Sequence, residues 1–473
     1  MTRILTLVRM GFLLVLLVGC TGATSASTPA PKPSTLASVT PTVLPAVLPT
    51  LPVTSDLPSA PPVVISPTSP PITKSPAPIA PVITEARVAV GTEPTVSVNP
   101  VTGEIAVVMQ EIPWPKMCSR SVVYVSHNQG KTWASAGRPW GSGCQDIHAV
   151  VAWGPNNRLW AGNAVGASGG VKMSVSYTDN DGKSWAKPYV QPWTRAWVGC
   201  FPMITVDNDP ASANYGTVYA AYNWRPNSSG PGLHVMAKTL TGGWTAVEVP
   251  VVGLKGYAAH NRIGYRLATV NGGLVVSWYE SDLRVFPADI LSDGSASNVG
   301  RRGFAVANLN WVAGKLTVQQ VEWAGSVAGN NKLILDPRWQ SQLAIDEGET
   351  FLVVENGGWV SLGHRTATGW VWQRLASGFK PTLAASDTGV LMVGFHKAAG
   401  AIVRNYYLLS YDHGLTWTAA QFIDGAKYRL PNVINGTGLR ENAVFGGDDG
   451  AFYWAWGDTR SGATAIIVAR IMP

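Results

Sequence analysis

Short apolar and aromatic runs, separated by turn-forming residues, occupy the chain from about Ile83 to its last residues. Runs of this length bounded by Gly, Asp and Asn are typical of β-strands. They fall into consecutive groups of four, except that the last group, which begins at Asn442, has three. Residues 83–90 form a strand-like run without a partner at the front. Pairing this run with the last group would close a ring and remove an exposed sheet edge.

The groups predict an all-β protein, a β-propeller of four-stranded blades closed by an N-terminal strand. They begin near residues 92, 144, 200, 265, 339, 381 and 442. Seven blades are favoured, which lies within the usual range for propellers. The fourth group carries a long insertion around residues 282–301, and six blades remain the alternative if this group is not a complete blade.

One octet, Ser-Tyr-Asp-His-Gly-Leu-Thr-Trp at residues 410–417, is typical of a β-hairpin tip. An Asp or Asn can accept hydrogen bonds from its own turn, Gly can take a positive φ, and Trp can pack beneath the turn. Residues 126–133 and 178–185 repeat the pattern. The recurring positions are Ser126, Asn128, Gly130 and Trp133; Thr178, Asn180, Gly182 and Trp185; and Ser410, Asp412, Gly414 and Trp417.

These octets resemble the Asp-box, or BNR repeat, of the sialidase superfamily, whose consensus is Ser-x-Asp-x-Gly-x-Thr-Trp. The resemblance implies that each box joins the two outer strands of a blade, on the face away from the active site. The box residues are therefore expected to have a structural role. Shortened copies end at Trp244 and Trp370.

The N-terminal residues predict export. Residues 1–20 have a positive leader, a short apolar run and the sequence Leu-Val-Gly-Cys, which resembles a bacterial lipobox with Cys20 as the lipidated residue. An ordinary secretory signal is the alternative. Residues 21–82 are rich in Pro, Ser and Thr and predict an extended, disordered tether. We therefore expect a lipoprotein of the cell membrane or outer membrane, with the propeller (residues 83–473) outside the cytoplasm.

Composition excludes some partners. The net charge is +7 without a Lys/Arg cluster, so no nucleic-acid partner is predicted. No Cys or His spacing predicts a metal site, and no cofactor is expected. Cys118, Cys144 and Cys200 predict one disulfide and one spare thiol, with the pair Cys118–Cys144 favoured. The sequence gives no indication of oligomeric state.

The resemblance also implies a catalytic set: three arginines that bind a substrate carboxylate, a Tyr nucleophile with a Glu beside it, and an Asp as general acid/base. The catalytic candidates are Asp146, Tyr279 and Glu280. The substrate-binding candidates are Arg262, Arg338, Arg429 and Arg440. Arg429 lies in Tyr-Arg-Leu-Pro, which is similar to the family's Phe-Arg-Ile-Pro but far from the N-terminal place that motif has in sialidases.

Two functions remain open. The first is an exo-α-sialidase-type glycoside hydrolase that acts on extracellular glycans. The second, slightly favoured, is a non-catalytic propeller that binds an extracellular glycan or a surface protein, because the Tyr-Arg-Leu-Pro motif is displaced and no complete catalytic set is evident. His148 and His396 are expected to be hydrogen-bonded structural residues, and Asp458 and Arg460 a structural pair.

Overall fold

The computed structural model describes residues 81–111, 120–141, 146–167, 170–191, 197–198, 202–225, 232–250, 261–281, 302–326, 341–399, 402–429, 442–446, 449–460 and 463–473. These residues form 28 β-strands. In the described part of the chain, no helical segment has the length and hydropathy needed to cross a bilayer.

The strands follow one another as hairpins. They are β1 (Val82–Val98), β2 (Ile105–Glu111), β3 (Ser121–Ser126), β4 (Ala134–Gly137), β5 (Asp146–Trp153), β6 (Leu159–Ala167), β7 (Gly170–Thr178), β8 (Tyr189–Val190), β9 (Trp197–Val198), β10 (Met203–Val206), β11 (Val218–Arg225), β12 (Gly232–Lys238), β13 (Trp244–Val249), β14 (Asn261–Val270), β15 (Gly273–Ser281), β16 (Arg302–Val312), β17 (Lys315–Ser326), β18 (Ser341–Asp346), β19 (Glu349–Asn356), β20 (Trp359–Thr366), β21 (Gly369–Ser377), β22 (Phe379–Ala385), β23 (Leu391–Ala399), β24 (Ile402–Ser410), β25 (Gln421–Arg429), β26 (Asn442–Gly446), β27 (Ala451–Asp458) and β28 (Ala465–Met472).

Four-stranded antiparallel blades are arranged in a ring. Blade 1 comprises the second half of β1 with β2–β4, blade 2 β5–β8, blade 3 β10–β13, blade 4 β14–β17, blade 5 β18–β21, and blade 6 β22–β25. The innermost strands β1, β5, β10, β14, β18, β22 and β26 each contact the next, and β26 contacts β1. The ring is therefore closed.

The long strand β1 closes the ring. Its first half pairs with β28, with Ile83 opposite Ile471, and its second half pairs with β2 after a break in register beyond Thr92. The hydrogen-bonded sheets of the described residues therefore number six. The largest has seven strands and contains two blades, because β1 belongs to both. These are blade 1 and a seventh blade made of β26–β28 and the start of β1. The predicted propeller and its N-terminal closing strand are confirmed. The fourth group, whose completeness the sequence left open, is a complete four-stranded sheet.

The core lies between blades because successive residues of a strand face opposite sides. In β19, Leu352 and Val354 join a cluster shared with blade 4, whereas Phe351 and Val353 join one shared with blade 6. Each middle strand thus contributes to two cores. This packing holds neighbouring blades together.

The Asp-box turns use side-chain oxygens to bind their own backbone. The Ser410 hydroxyl accepts a hydrogen bond from Gly414 N at 2.8 Å, and Asp412 accepts one from Thr416 N at 2.8 Å. Asn128 accepts the equivalent bond, from Thr132 N, at 2.9 Å. Asn therefore substitutes for Asp in this turn without loss of the backbone contact.

The boxes also contact the preceding blade. Trp185 donates its indole N–H to the carbonyl of Ala136 in blade 1 at 2.8 Å. Gly182 has a φ of +79°, and a Cβ there would lie 1.9 Å from the same carbonyl oxygen. Only glycine fits so close to the neighbouring backbone. These residues therefore join blade 2 to blade 1.

Candidate functional site

Strand direction separates two faces of the ring. The first strand of each blade ends, and the second begins, on the face that carries the Asp-box hairpins, because neighbouring strands are antiparallel. First strands begin and second strands end on the opposite face, which we term the channel face. Buried charged residues are found at this end of several blades.

A backbone irregularity recurs near the start of the first strands. The pairing register shifts between Thr92 and Thr95, between Ile147 and Val150, and between Phe379 and Thr382. Residues inside these bulges have positive φ although none is glycine: Glu93 (52°), His148 (57°) and Lys380 (46°). Such conformations cost about 1–3 kcal/mol each and are common at functional sites. The bulges identify three candidate functional side chains.

Glu93, Gln110 and His148 form a buried cluster between blades 1 and 2. Glu93 Oε2 accepts a hydrogen bond from Gln110 Nε2 at 3.1 Å and lies 2.7 Å from His148 Nδ1. All three residues are buried. A carboxylate that contacts one imidazole nitrogen fixes the orientation of the ring. The cluster can therefore supply a positioned imidazole at the channel face.

Glu355 is the second buried acid at this face. It lies near the end of β19, is 4% exposed, and accepts a hydrogen bond from Lys380 N at 3.4 Å. Burial raises the pKa of Glu355 to about 7, although the hydrogen bond and the charge of Lys380 oppose the shift. A carboxyl group with this pKa can donate and accept a proton near neutral pH.

Arg266 supplies a buried positive charge in blade 4. Its guanidinium donates to the carbonyl of Tyr265 at 2.8 Å and lies 3.8 Å from the sulfur of Met203 in blade 3. Burial lowers the pKa of Arg266 to about 10. It therefore remains a cation at neutral pH.

The predicted Tyr–Glu pair is not brought together. Tyr279 is 4% exposed and packs edge to face against Phe304, in the core between blades 4 and 5. Glu280 is fully buried and accepts a hydrogen bond from the indole N–H of Trp278 at 2.8 Å. Because adjacent strand residues face opposite sides, the two side chains diverge. Their catalytic roles stay predictions that this placement does not favour.

The other predicted site residues are only partly described. Arg262 lies opposite Glu280 in the β14–β15 pairing, Asp146 begins β5, and Arg429 ends β25; the structure describes their backbone and not their side chains. Arg338, Arg440, Cys20, Cys118, Cys144 and Cys200 lie outside the described residues. Within the described ranges, no group of three or more His, Cys, Asp or Glu residues could hold a metal ion.

Asp458 and Arg460 form an ion pair, with Arg460 Nη2 2.6 Å from Asp458 Oδ2. Arg460 also contacts Glu85 in the closing strand at 2.7 Å. His396 is buried, stacked on Phe379 and edge-on to Trp454. These contacts fit structural roles at the seam and in the core between blades 6 and 7.

The chain is similar to known proteins in structure only, and at low sequence identity. No protein-family model matches the sequence, and no curated protein does. Similar solved structures include the α-L-arabinofuranosidase Arb93A from Fusarium graminearum in complex with an iminosugar inhibitor (12% identity, 69% of this chain and 92% of that chain, TM-score 0.42). Also similar is the phage phi92 endosialidase (10% identity, 82% of this chain and 69% of that chain, TM-score 0.41). A leech intramolecular trans-sialidase is similar as well (10% identity, 74% of this chain and 69% of that chain, TM-score 0.41).

The chain's own closed ring and three Asp-box hairpins define it as a β-propeller of the Asp-box type.

Proposed function

We propose that the protein is a glycan-directed propeller that binds extracellular glycans at its channel face. The observation that carries this proposal is the concentration of buried charged and amide side chains there, two of which, Glu93 and His148, lie on strained backbone. Glu93, His148, Glu355 and Arg266 offer donors and acceptors that suit sugar hydroxyl and carboxylate groups. The Asp-boxes lie on the other face and leave this surface available.

A glycan array tests binding. The chain from residue 21 onward is applied beside a Glu93→Gln variant and a control, Glu347→Gln, which alters an exposed glutamate in the turn between β18 and β19 on the Asp-box face. We expect selective binding that Glu93→Gln weakens roughly tenfold, as for a charged hydrogen bond, and that the control retains. Absence of binding to every glycan, or equal loss in the control, would contradict the proposal.

Hydrolysis of the bound glycan is a second candidate function, favoured by Glu355. A carboxyl group with a pKa of about 7 at the channel face can act as a general acid at neutral pH. A panel of fluorogenic glycosides that includes a sialoside tests turnover in the native chain and in Glu355→Gln, Tyr279→Phe and Arg440→Ala variants. Turnover that only Glu355→Gln abolishes would support Glu355 as the acid, whereas loss in the other two variants would support the sialidase-type set.

The proposed location is the outer surface of the cell envelope, with the chain anchored through Cys20 and the tether of residues 21–82. Metabolic labelling with an alkyne fatty acid tests the anchor. We expect label on the native protein and none on a Cys20→Ala variant. Release of unlabelled native protein into the medium would instead indicate an ordinary secretory signal.

A further inference from the structure

A cleft opens between blades 4 and 5 at the channel face, away from the Glu93 and Glu355 clusters. Its volume is about 210 Å³. Phe304 and Ser326 contribute from blade 4, and Asn356, Ser361, Trp372 and Arg374 contribute from blade 5. Ligand pockets for drug-sized molecules usually measure about 300–1,000 Å³, so this cleft suits a smaller molecule.

The indole of Trp372 is a fixed wall of the cleft. Its N–H donates to the carbonyl of Ala324 in blade 4 at 2.9 Å. Gly325 and Gly363 lie against the ring, and a Cβ on either would come within about 3 Å of it. The two glycines therefore make room for the ring between the blades. A rigid aromatic wall suits the apolar C–H groups of a sugar.

The other walls are polar. The Asn356 amide donates to the carbonyl of Ser326 at 3.5 Å, which joins the two blades at the mouth of the cleft. Amide and hydroxyl groups such as those of Asn356 and Ser361 can both donate and accept hydrogen bonds. An aromatic wall with a small number of such groups is the usual composition of a small-molecule site.

The charge of the lining is positive. Arg374 is the one charged residue among those that line the cleft, and its guanidinium lies 5.4 Å from the centre of the Trp359 ring. Glu322, on the facing strand β17, is already bound by Arg365 and by the indole N–H of Trp370. Among the described residues, Arg374 forms no ion pair with a carboxylate. A guanidinium in this state favours an anionic ligand, in particular a carboxylate.

We propose that this cleft binds one carboxylated sugar unit of a glycan. Arg374 binds the carboxylate, Asn356 and Ser361 bind hydroxyl groups, and the ring of Trp372 contacts the apolar side of the sugar. The site is separate from the Glu355 cluster, because Glu355 and Asn356 are adjacent in β19 and face opposite sides of blade 5. The proposal therefore does not depend on catalysis or binding at the channel clusters.

Isothermal titration with three small probes tests the cleft. Methyl β-D-glucuronide carries the sugar ring and the carboxylate, methyl β-D-glucoside the ring alone, and acetate the carboxylate alone. We expect the glucuronide to bind at least about tenfold more tightly than either of the others, since both parts of the site contribute. Its affinity should also fall as salt is raised. Equal affinity for glucuronide and glucoside would overturn the role of Arg374, and equal affinity for acetate would overturn sugar recognition.

Variants locate the binding. Arg374→Gln should weaken glucuronide binding roughly tenfold and leave glucoside binding unchanged, as expected for loss of one charge-assisted contact. Arg158→Gln is the matched control, because Arg158 also lies over an aromatic ring, 4.1 Å from the centre of Tyr177, but near the Asp-box face. Ser326→Trp, at an exposed position on the rim, should block the cleft to both sugars.

The outcomes separate this proposal from the proposed function. Native binding that survives both Arg374→Gln and Ser326→Trp would place the site elsewhere and refute the cleft. Loss of glucuronide binding in these variants with retained glycan-array binding would show that the Glu93 and Glu355 clusters bind glycans independently of the cleft. An unchanged near-ultraviolet circular dichroism spectrum verifies that each variant is folded.

Discussion

Replacing Glu355 by Gln should stabilise the protein at alkaline pH and leave its stability unchanged in acid. The ordinary pKa of a Glu side chain is 4.5, and burial raises that of Glu355 to about 7. The folded protein therefore retains a proton that the unfolded chain releases. Its free energy of unfolding decreases as pH rises from about 4.5 to about 7 and is level above that range. The lost stability amounts to at most about 3 kcal/mol.

Gln is uncharged and nearly isosteric, and its carbonyl oxygen can still accept the hydrogen bond from Lys380 N. The variant therefore loses the cost of a buried charge but keeps the contact. Relative to the native chain, we expect its free energy of unfolding to be higher by up to about 3 kcal/mol at pH 8, and equal at pH 4.5.

Urea titrations at pH 4.5, 6 and 8, followed by tryptophan fluorescence, measure this difference. Glu248→Gln is the control, because the side chain of Glu248 is 58% exposed and its charge is solvated in both states. A native-to-variant difference that is independent of pH, or that favours the native chain at pH 8, would refute the assignment of a raised pKa to Glu355.

The remaining predictions concern turns, blade packing and ring closure. Asp412→Ala should cost about 1–2 kcal/mol of stability, because the turn loses the acceptor for Thr416, whereas Asp412→Asn should cost less; thermal unfolding measures both. Gly182→Ala should lower the unfolding temperature more than Gly141→Ala, because a Cβ at position 182 meets the Ala136 carbonyl and one at position 141 meets open space. Deletion of residues 1–90 should make the last blade protease-sensitive, whereas deletion of residues 1–81 should not; equal digestion of both would contradict closure by β1.

Local and repeated patterns predicted the fold well. Strand groups, hairpin turns and the partner of residues 83–90 depend on short-range patterning and on the need to cover sheet edges, and both are visible in the sequence. The contacts of the candidate site, in contrast, are not visible in the sequence. Glu93 meets His148 only through two bulges and the contact between blades 1 and 2.

Proximity in the sequence does not establish proximity of side chains. Tyr279 and Glu280 are neighbours in the chain, yet strand geometry sends their side chains to different sides. Glu355 has an unremarkable sequence context, and its raised pKa comes from burial against blade 6, which no local pattern encodes. A strand-end acid next to a bulged first strand is a signal that could be sought in similar sequences.

The seam between β1 and β28 makes the propeller equivalent to a cyclised polymer whose closing bond is non-covalent. Blades 1 to 6 each consist of strands consecutive in the chain, whereas the last blade joins Val82 to Met472 across nearly the whole described chain. Closing a loop of that length costs on the order of 5 kcal/mol of chain entropy. The β1–β28 hydrogen bonds, the buried side chains along them and the Arg460–Glu85 pair offset this cost together. Release of the first half of β1 would therefore convert the ring into an open arc and expose the edge of β28.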